Sequence, residues 1–180
     1  MKKIVAFGAS NSRQSINKRF AEFVANQLSG VVVELLDLND YELPIYSVDL
    51  QREIGIPDPA VAFLQHIRDS DGVIVSLAEY NGLHTSAFKN LWDWMSRIDK
   101  MNIWYNKPMF LLSASPSKRP MNNVLTVSKE LFPHFGGHII ADFYLPSFHH
   151  FFKEGTIIDN QHMEAFEIAK QKFQTHIDNL

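Results

Sequence analysis

Five short, nearly all-apolar runs alternate with helical patterns along this chain, and this alternation constrains the fold more than any other feature of the sequence. Continuous apolar runs are typical of strands buried on both faces, and amphipathic helices cover such faces. The sequence therefore predicts an α/β fold with a parallel sheet. The runs occupy residues 4–7, 31–36, 72–77, 108–112 and 137–142, and the helical patterns occupy residues 15–30, 58–69, 84–98, 121–135 and 161–178.

The connection after the second run, residues 37–56, contains Pro44 and is predicted as a loop. It leads into the helical pattern of residues 58–69. In that pattern we expect the following residues on the buried side: Val61, Leu64, His66 and Ile67.

Polar loops follow the first, third and fourth predicted strands, at residues 8–17, 78–82 and 113–119. The carboxyl ends of parallel strands lie at one edge of a sheet, and ligands of open α/β sheets bind in the crevice outside that edge. We therefore expect these three loops to form one binding site.

The first loop has the features of an anion site. It collects the hydroxyls and amides of Ser10, Asn11, Ser12, Ser15 and Asn17 before a predicted helix, whose first N–H groups and dipole favour an anion such as phosphate. Neither a P-loop nor a G-x-G-x-x-G dinucleotide pattern is present. The alternative is that Ser15 only caps the helix and the other residues only form the turn.

Composition narrows the classes of function. The 180 residues contain no cysteine, which excludes disulfides, thiolate metal sites and cysteine nucleophiles. The formal net charge is −3 with scattered basic residues, so no nucleic-acid partner is expected. No apolar run is long enough for membrane insertion. We expect a cytoplasmic protein with a single domain, residues 1–180.

The histidines do not predict a metal site. A metal needs three or four convergent ligands, and Gly136 and Gly137 interrupt any helical register between the first two of the candidate histidines. They are predicted to be surface or packed side chains. The candidates are His134, His138, His149 and His150.

Aromatic residues are concentrated on and just after the third helical pattern. They are too many to bury on one face of one helix, so either a core position or a subunit contact explains them. These residues are Trp92, Trp94, Trp104 and Tyr105.

The three loops read GASNSRQSIN, AEYNG and SASPSKR. With these motifs the chain resembles the flavodoxin-like NADPH-dependent FMN reductase family, which includes flavin, quinone, azo-dye and chromate reductases. The resemblance extends over nearly the whole chain. It implies a flavodoxin-like three-layer sandwich, in which a five-stranded parallel sheet has the strand order 2-1-3-4-5.

In that family the first loop usually reads Gly-Ser-x-Arg-x-x-Ser-x-Asn and wraps the FMN phosphate. Here Ala9 replaces the usual glycine and Ser12 the usual arginine, while Arg13 follows one place later. The resemblance therefore implies a phosphate held by hydroxyls and backbone N–H groups, with Arg13 as a charge partner. The implied cofactor-binding residues are Ser10, Ser12, Arg13, Ser15, Ile16 and Asn17.

The second motif, Pro-Glu-Tyr-Asn-Gly in the family, is the most specific match. A glycine after asparagine permits a tight backbone turn against the flavin, and a tyrosine offers an aromatic surface beside the ring. Without the family, an Asn-Gly pair after a strand is in most cases only a turn. The implied ring-binding residues are Glu79, Tyr80, Asn81 and Gly82.

The third loop carries glycines along the flavin in the family, but here it has none. The resemblance still implies contacts from Ser113, Ala114 and Ser115, whose small side chains permit close approach. Lys118 and Arg119 offer positive charge for a reduced flavin or a nicotinamide phosphate, and the alternative is a solvated basic turn.

The resemblance implies an FMN-dependent oxidoreductase that takes hydride from NADPH or NADH. The electrons would pass to a small acceptor such as a quinone, flavin, azo compound or metal oxyanion. No side chain is predicted as a catalytic acid or base, because the cofactor carries the electrons. The resemblance also implies a homodimer or homotetramer.

Two alternatives remain open at this point. A flavodoxin-like carrier would relay single electrons between proteins, but such carriers are strongly acidic and a charge of −3 is small. A module that binds FMN without turnover is the second alternative, and the glycine-poor third loop favours it.

Overall fold

The fold is given by a computed structural model that describes residues 1–119 and 122–180. Short 3₁₀ turns at Leu38–Asp40 and Phe132–Phe135 join some of its elements. The strands are β1 (Lys2–Ala9), β2 (Val31–Leu36), β3 (Gly72–Leu77), β4 (Glu79–Tyr80), β5 (Leu83–His84), β6 (Pro108–Ala114), β7 (His138–Leu145), β8 (Phe152–Lys153) and β9 (Thr156–Ile157). The helices are α1 (Ile16–Asn26), α2 (Val48–Ile54), α3 (Asp58–Arg68), α4 (Ser86–Ile98), α5 (Asn123–Leu131), α6 (Phe148–Phe151) and α7 (Asn160–Asp178).

Five parallel strands form the central sheet in the order β2-β1-β3-β6-β7. Counted among these five strands alone, the order is 2-1-3-4-5, so the predicted flavodoxin-like topology is confirmed. Ala9 pairs with Leu77 and Ala114 pairs with Leu145. The loops after β1, β3, β6 and β7 therefore lie at the same edge of the sheet.

Two hydrophobic cores cover the two faces of the sheet. On one face Phe20 of α1 and Phe173 of α7 pack in a cluster with the strand residues Ile74 and Phe110. On the other face α3, α4 and α5 pack against the opposite side chains of the same strands, for example Val75. This arrangement is the predicted three-layer sandwich, and it explains why the strands are apolar on both faces.

The aromatic residues near α4 belong to the core. Trp94 and Trp104 are fully buried, Trp92 is buried and Tyr105 is half-buried against the same cluster. The indole N–H of Trp94 donates to the carbonyl of Pro44 at 2.8 Å. Of the two interpretations that the sequence left open, the structure shows the core position.

Several predicted boundaries were wrong in the surface elements. The predicted loop at residues 37–56 contains α2, in which no residue is buried, so it lacks the apolar periodicity that signals a helix. Of the residues expected to be buried, Leu64 and Ile67 are buried, His66 is half-buried and Val61 is exposed. Ala60 and Phe63 are buried in addition. Helix α1 ends at Asn26, four residues before the predicted end.

The last part of the prediction also needed correction. Strand β7 continues to Leu145, whereas the prediction ended it at Asp142, because its outer residues alternate in burial as expected for a sheet edge. Helix α6 and the β8–β9 hairpin were not predicted. His84 belongs to β5 and not to α4, which begins at Ser86. The predicted start of the fourth helical pattern, Met121, lies outside the described residues.

Gly8 allows helix α1 to begin directly against β1. A Cβ atom at this position would lie 2.4 Å from the backbone nitrogen of Lys18 and 2.6 Å from its Cα. Real Cβ atoms do not approach backbone atoms this closely, so any larger residue would push the first turn of α1 away from the strand.

Replacing Gly8 by alanine should therefore lower the free energy of unfolding by about 2 kcal/mol or more, the range of overpacking in a tight core. Urea denaturation measures this change. Gly30→Ala is the control, because nothing lies within 4 Å of its Cβ position and only its φ of +69° is unfavourable, at about 1 kcal/mol. A Gly8→Ala protein as stable as the wild type would contradict the packing described.

Candidate functional site

A cavity of about 230 Å³ lies at the sheet edge where the loops after β1, β3, β6 and β7 meet. All three predicted loops contribute to it, together with α6, which sequence reasoning did not include. Most of its walls are small, uncharged side chains. The cavity is lined by Ser10, Ser12, Gln14, Ser15, Ile16, Asn17, Ala78, Glu79, Tyr80, Ala114, Ser115, Pro116 and His149.

The first loop places two buried hydroxyls beside the start of α1. The Ser15 Oγ atom caps the helix by accepting from the backbone N–H of Lys18 at 3.2 Å, and the Ser10 Oγ atom accepts from the N–H of Ser12 at 3.1 Å. Each hydroxyl retains an O–H donor, since a hydroxyl both donates and accepts. The first N–H groups of a helix have no intrahelical acceptor, and its dipole adds positive potential. The helix cap expected of Ser15 is therefore present, and the hydroxyl and N–H donors beside it are of the kind that an anion needs.

Asn17 has a different role from the other residues of the loop. Its amide oxygen accepts from the Ala114 N–H at 2.8 Å and from the Ser76 hydroxyl at 2.7 Å, and its amide nitrogen donates to the Ala114 carbonyl at 3.0 Å. The residue is buried. Asn17 lines the cavity, and its three hydrogen bonds connect α1 to the ends of β3 and β6.

The second loop forms a tight hairpin of β4 and β5. Asn81 and Gly82 have φ values of 53° and 86°, as a two-residue hairpin turn with two positive φ angles requires. The predicted turn is confirmed. Tyr80 lines the cavity with 52% of its surface exposed, whereas Asn81 and Gly82 are not among the lining residues.

The carboxylate of Glu79 is tied to a neighbouring helix. Its Oε2 atom accepts from the N–H of Val124 at 3.0 Å, and the Asn122 side chain accepts from the N–H of Leu125 at 3.0 Å. Both acceptors satisfy orphan N–H groups at the start of α5. Glu79 thus anchors the hairpin, and its negative charge is directed toward a helix N-terminus.

The third loop contributes backbone and small side chains. Ala114, Ser115 and Pro116 line the cavity, while the Ser113 hydroxyl is buried and donates to the Leu77 carbonyl at 2.6 Å. Ser113 therefore joins β6 to β3 and is not a cavity residue. Arg13, Lys118 and Arg119 are exposed and do not line the cavity.

Sequence reasoning missed four lining residues: Gln14, Ala78, Pro116 and His149. Three of them, Gln14, Ala78 and Pro116, lie inside the quoted loop motifs but were not assigned as binding residues, because the family motifs name only the positions around them. His149 follows β7, whose carboxyl end lies at the same edge of the sheet. It was missed because the strand was predicted to end three residues early.

Burial shifts the pKa values of two groups near the site further toward their uncharged forms. Burial lowers the pKa of His84 from 6.5 to about 4, and one of its ring nitrogens lies 2.7 Å from the Ser128 hydroxyl. Burial also raises the pKa of Tyr144, whose hydroxyl donates to the carbonyl of Arg119 at 3.1 Å. Both side chains therefore act as neutral hydrogen-bonding groups that support the hairpin and the third loop.

Neither a metal cluster nor a membrane span is found among residues 1–119 and 122–180. No three His, Cys, Asp or Glu side chains there converge as metal ligands. In the same part of the chain, no helix combines the length and apolarity needed to cross a bilayer.

A family model and similar curated proteins both indicate the same family of reductases. The profile of the family described as "NADPH-dependent FMN reductase" matches residues 2–150. The chain is 33% identical over 114 residues to a 2-hydroxy-1,4-benzoquinone reductase of Burkholderia sp., an alignment covering 63% of this chain and 60% of that protein. It is 30% identical over 100 residues to a quinone reductase of Escherichia coli K12, covering 53% of each protein. The chain thus spans between half and two thirds of the length of these relatives.

Solved structures resemble the whole chain in fold. FerB, a flavoenzyme NAD(P)H:(acceptor) oxidoreductase from Paracoccus denitrificans, has a TM-score of 0.81 at 22% identity, with 99% of this chain and 98% of FerB covered. An NADH:FMN oxidoreductase, EMOB, has a TM-score of 0.71 at 18% identity, with 98% and 90% covered. At sequence identities of 22% and 18%, these similarities show a shared fold only.

Replacing Asn17 by alanine should lower the free energy of unfolding by about 3 kcal/mol, since three buried hydrogen bonds contribute about 1 kcal/mol each. Urea denaturation without any added ligand measures this loss. Asn11→Ala is the matched control, because it makes the same change on the same loop at an exposed position, where the effect should stay within about 0.5 kcal/mol. Equal stability of the two variants would show that the hydrogen bonds of Asn17 do not stabilise the connection of α1 to β3 and β6.

Proposed function

The chain belongs to the NADPH-dependent FMN reductase family, and we propose that it is an FMN-dependent oxidoreductase that transfers electrons from NADPH or NADH to a small acceptor. The observation that carries this proposal is the cavity at the sheet edge. It combines a helix N-terminus, two buried hydroxyls and an aromatic side chain within one small volume.

The residues at the start of α1 suit a phosphate group. Ser10 and Ser15 offer O–H donors, and the first turn of α1 offers N–H donors and a favourable dipole. The only carboxylate among the described lining residues is that of Glu79, which is bonded to the N–H of Val124. Repulsion of a phosphate dianion is thus limited, and we assign the phosphate of FMN to this end of the cavity.

The hairpin and the third loop suit the flavin ring. Tyr80 presents an exposed aromatic surface at the cavity, and Ala114, Ser115 and Pro116 allow a planar ring to approach the backbone. When bound, FMN would supply the hydride-accepting chemistry, which needs no acid or base from the protein. The protein's tasks are to hold the cofactor, to fix the two loops by the Asn17 and Glu79 contacts, and to leave one ring face accessible.

The relatives favour a quinone as the acceptor. The matched proteins from Burkholderia and Escherichia coli are named as quinone reductases, and a rice relative is named a probable NADPH:quinone oxidoreductase. We therefore propose a quinone-type acceptor for this chain. The sequence motifs alone left flavins, azo compounds and metal oxyanions open as well.

Anaerobic titration with NADPH and NADH tests this proposal. The purified protein loaded with FMN should lose its visible flavin absorption on addition of either or both nicotinamides, and a benzoquinone should restore it. A one-electron carrier would keep its oxidised spectrum with both nicotinamides, and a protein that remains colourless with added FMN would lack the cofactor. Either result would contradict the reductase function.

A pair of variants at Ser12 controls for flavin bound elsewhere. Ser12 is half-buried and lines the cavity next to Ser10. Ser12→Glu introduces a charge beside the proposed phosphate, whereas Ser12→Gln has nearly the same size without the charge. The glutamate variant should bind FMN at least tenfold more weakly than the glutamine variant, since a single charge repulsion in such a site is worth about 1.4 kcal/mol or more.

We also propose that the chain forms a homodimer or homotetramer. Although the tryptophans are buried in the core, two apolar side chains remain exposed: Met101, which follows α4, is 59% exposed, and Leu131, the last residue of α5, is 39% exposed. They border a groove of about 470 Å³ that also includes Trp92 and Phe135. Such a surface is a typical subunit contact.

Light scattering at micromolar concentration tests the assembly. We expect a mass that is two or four times the 20.7 kDa of one chain. Met101→Lys should shift the protein toward the single-chain mass, because a charge at a buried contact opposes association. A wild-type mass near 20.7 kDa would contradict the proposal.

A further inference from the structure

We propose that His149 binds the phosphate of the cofactor and makes the affinity for FMN depend on pH. This inference rests on the proposed function, because it assigns a residue of the same cavity. His149 belongs to α6, which lies outside the three loops that carry the family motifs.

The charges around the cavity single out His149. Among the described lining residues it is the only side chain that can carry a positive charge. Arg13, the cation that the sequence suggested as the charge partner of the phosphate, is exposed and outside the lining set. A phosphate dianion next to a helix N-terminus is stabilised further by a charge-assisted hydrogen bond from an imidazolium.

The backbone before His149 is held firmly. The N–H of Ser147 donates to the Ser117 carbonyl and the N–H of Phe148 donates to the Ser115 carbonyl, both at 2.8 Å. These two bonds tie α6 to the third loop. His149 is therefore fixed at one wall of the cavity although its side chain is exposed.

Packing of Phe148 places this wall on the side of α1. The Phe148 ring is buried and lies edge-on to Phe20 of α1, with ring centroids 6.1 Å apart, and the Arg19 guanidinium lies 5.6 Å from its centre. Arg19 and Phe20 follow the Ser15 cap by about one turn of helix. The residue before His149 thus packs on α1, the helix whose N-terminal residues Ser15 and Asn17 line the cavity together with His149.

Other ionisable groups do not produce the same pH dependence. Carboxylates, phenols, lysines and arginines ordinarily titrate outside pH 6.5–8.5. A phosphate monoester with a second pKa of about 6 is already mostly dianionic at pH 6.5, and the remaining change would raise the affinity with pH, opposite to the predicted fall. Among side-chain types, histidine is the one whose charge ordinarily changes near this interval. The surrounding charged and titratable groups are Glu79, Tyr80, Arg19, Lys118, Arg119 and His150. On α7, His162 lies against Phe151 and pairs with Asp159 at 2.6 Å.

The test is the dissociation constant of FMN between pH 6.5 and 8.5, measured by quenching of flavin fluorescence. Wild-type affinity should fall about fivefold as the pH rises, because the imidazolium loses its proton and with it the attraction to the phosphate. His149→Gln should bind about fivefold more weakly at pH 6.5 and should show a flat profile. His150→Gln, the same change at the adjacent exposed residue, should follow the wild type.

Each contrary result has a distinct meaning. If His149→Gln keeps the wild-type profile, or if His150→Gln loses it equally, the assignment of His149 is wrong while the FMN site stands. If the wild-type protein binds no FMN at any pH, the proposed function itself is wrong. Circular dichroism of both variants checks that the exposed substitutions leave the fold intact.

Discussion

The close contact between β1 and the first turn of α1 is the constraint on which the site depends. Gly8 brings the backbone of Lys18 to within van der Waals contact of the strand, and the buried amide of Asn17 then reaches Ser76 and Ala114. Gly8 and Asn17 together thus fix the N-terminus of α1 relative to β3 and β6. Without the close β1–α1 contact, the three loops would still follow parallel strands. The N–H groups of α1, the hydroxyls of Ser10 and Ser15 and the third loop would then not line the same cavity.

The polar side chains of the site differ in how fully hydrogen bonds within the protein occupy them. Asn17, Glu79 and Ser113 use their side chains on the protein's own backbone. Ser10 and Ser15 also accept from backbone N–H groups, and their O–H groups, with the first N–H groups of α1, are the donors that we assign to an anion. This difference explains how a site without a lining arginine or lysine remains suited to an anion, since backbone dipoles and hydroxyls supply the potential. Because the donors are hydroxyls and backbone N–H groups, the described cavity lining contains few charged side chains.

The sequence predicted the sheet well because buried parallel strands have an unmistakable apolar pattern. The bounds of β2 and β3 were predicted to the residue, and the strand order followed from the family motifs. Elements with little buried surface were not predictable in this way, as α2 and the last residues of β7 show. In the site, the motifs identified the loops that line the cavity. The residue types alone could not show that the side chains of Asn17 and Ser113 form hydrogen bonds within the protein. His149 could not be placed until the end of β7 was known.

The central claim is that this sheet edge recognises the phosphate of a flavin mononucleotide. Calorimetric titration of the cofactor-free protein with FMN and with riboflavin, which differ only in that phosphate, tests it most directly. The account predicts that FMN binds about 100-fold more tightly or better, since two charge-assisted hydrogen bonds of about 1.5 kcal/mol each correspond to that ratio. Equal affinity for the two flavins would show that the first turn of α1 does not read the phosphate, and it would contradict the account.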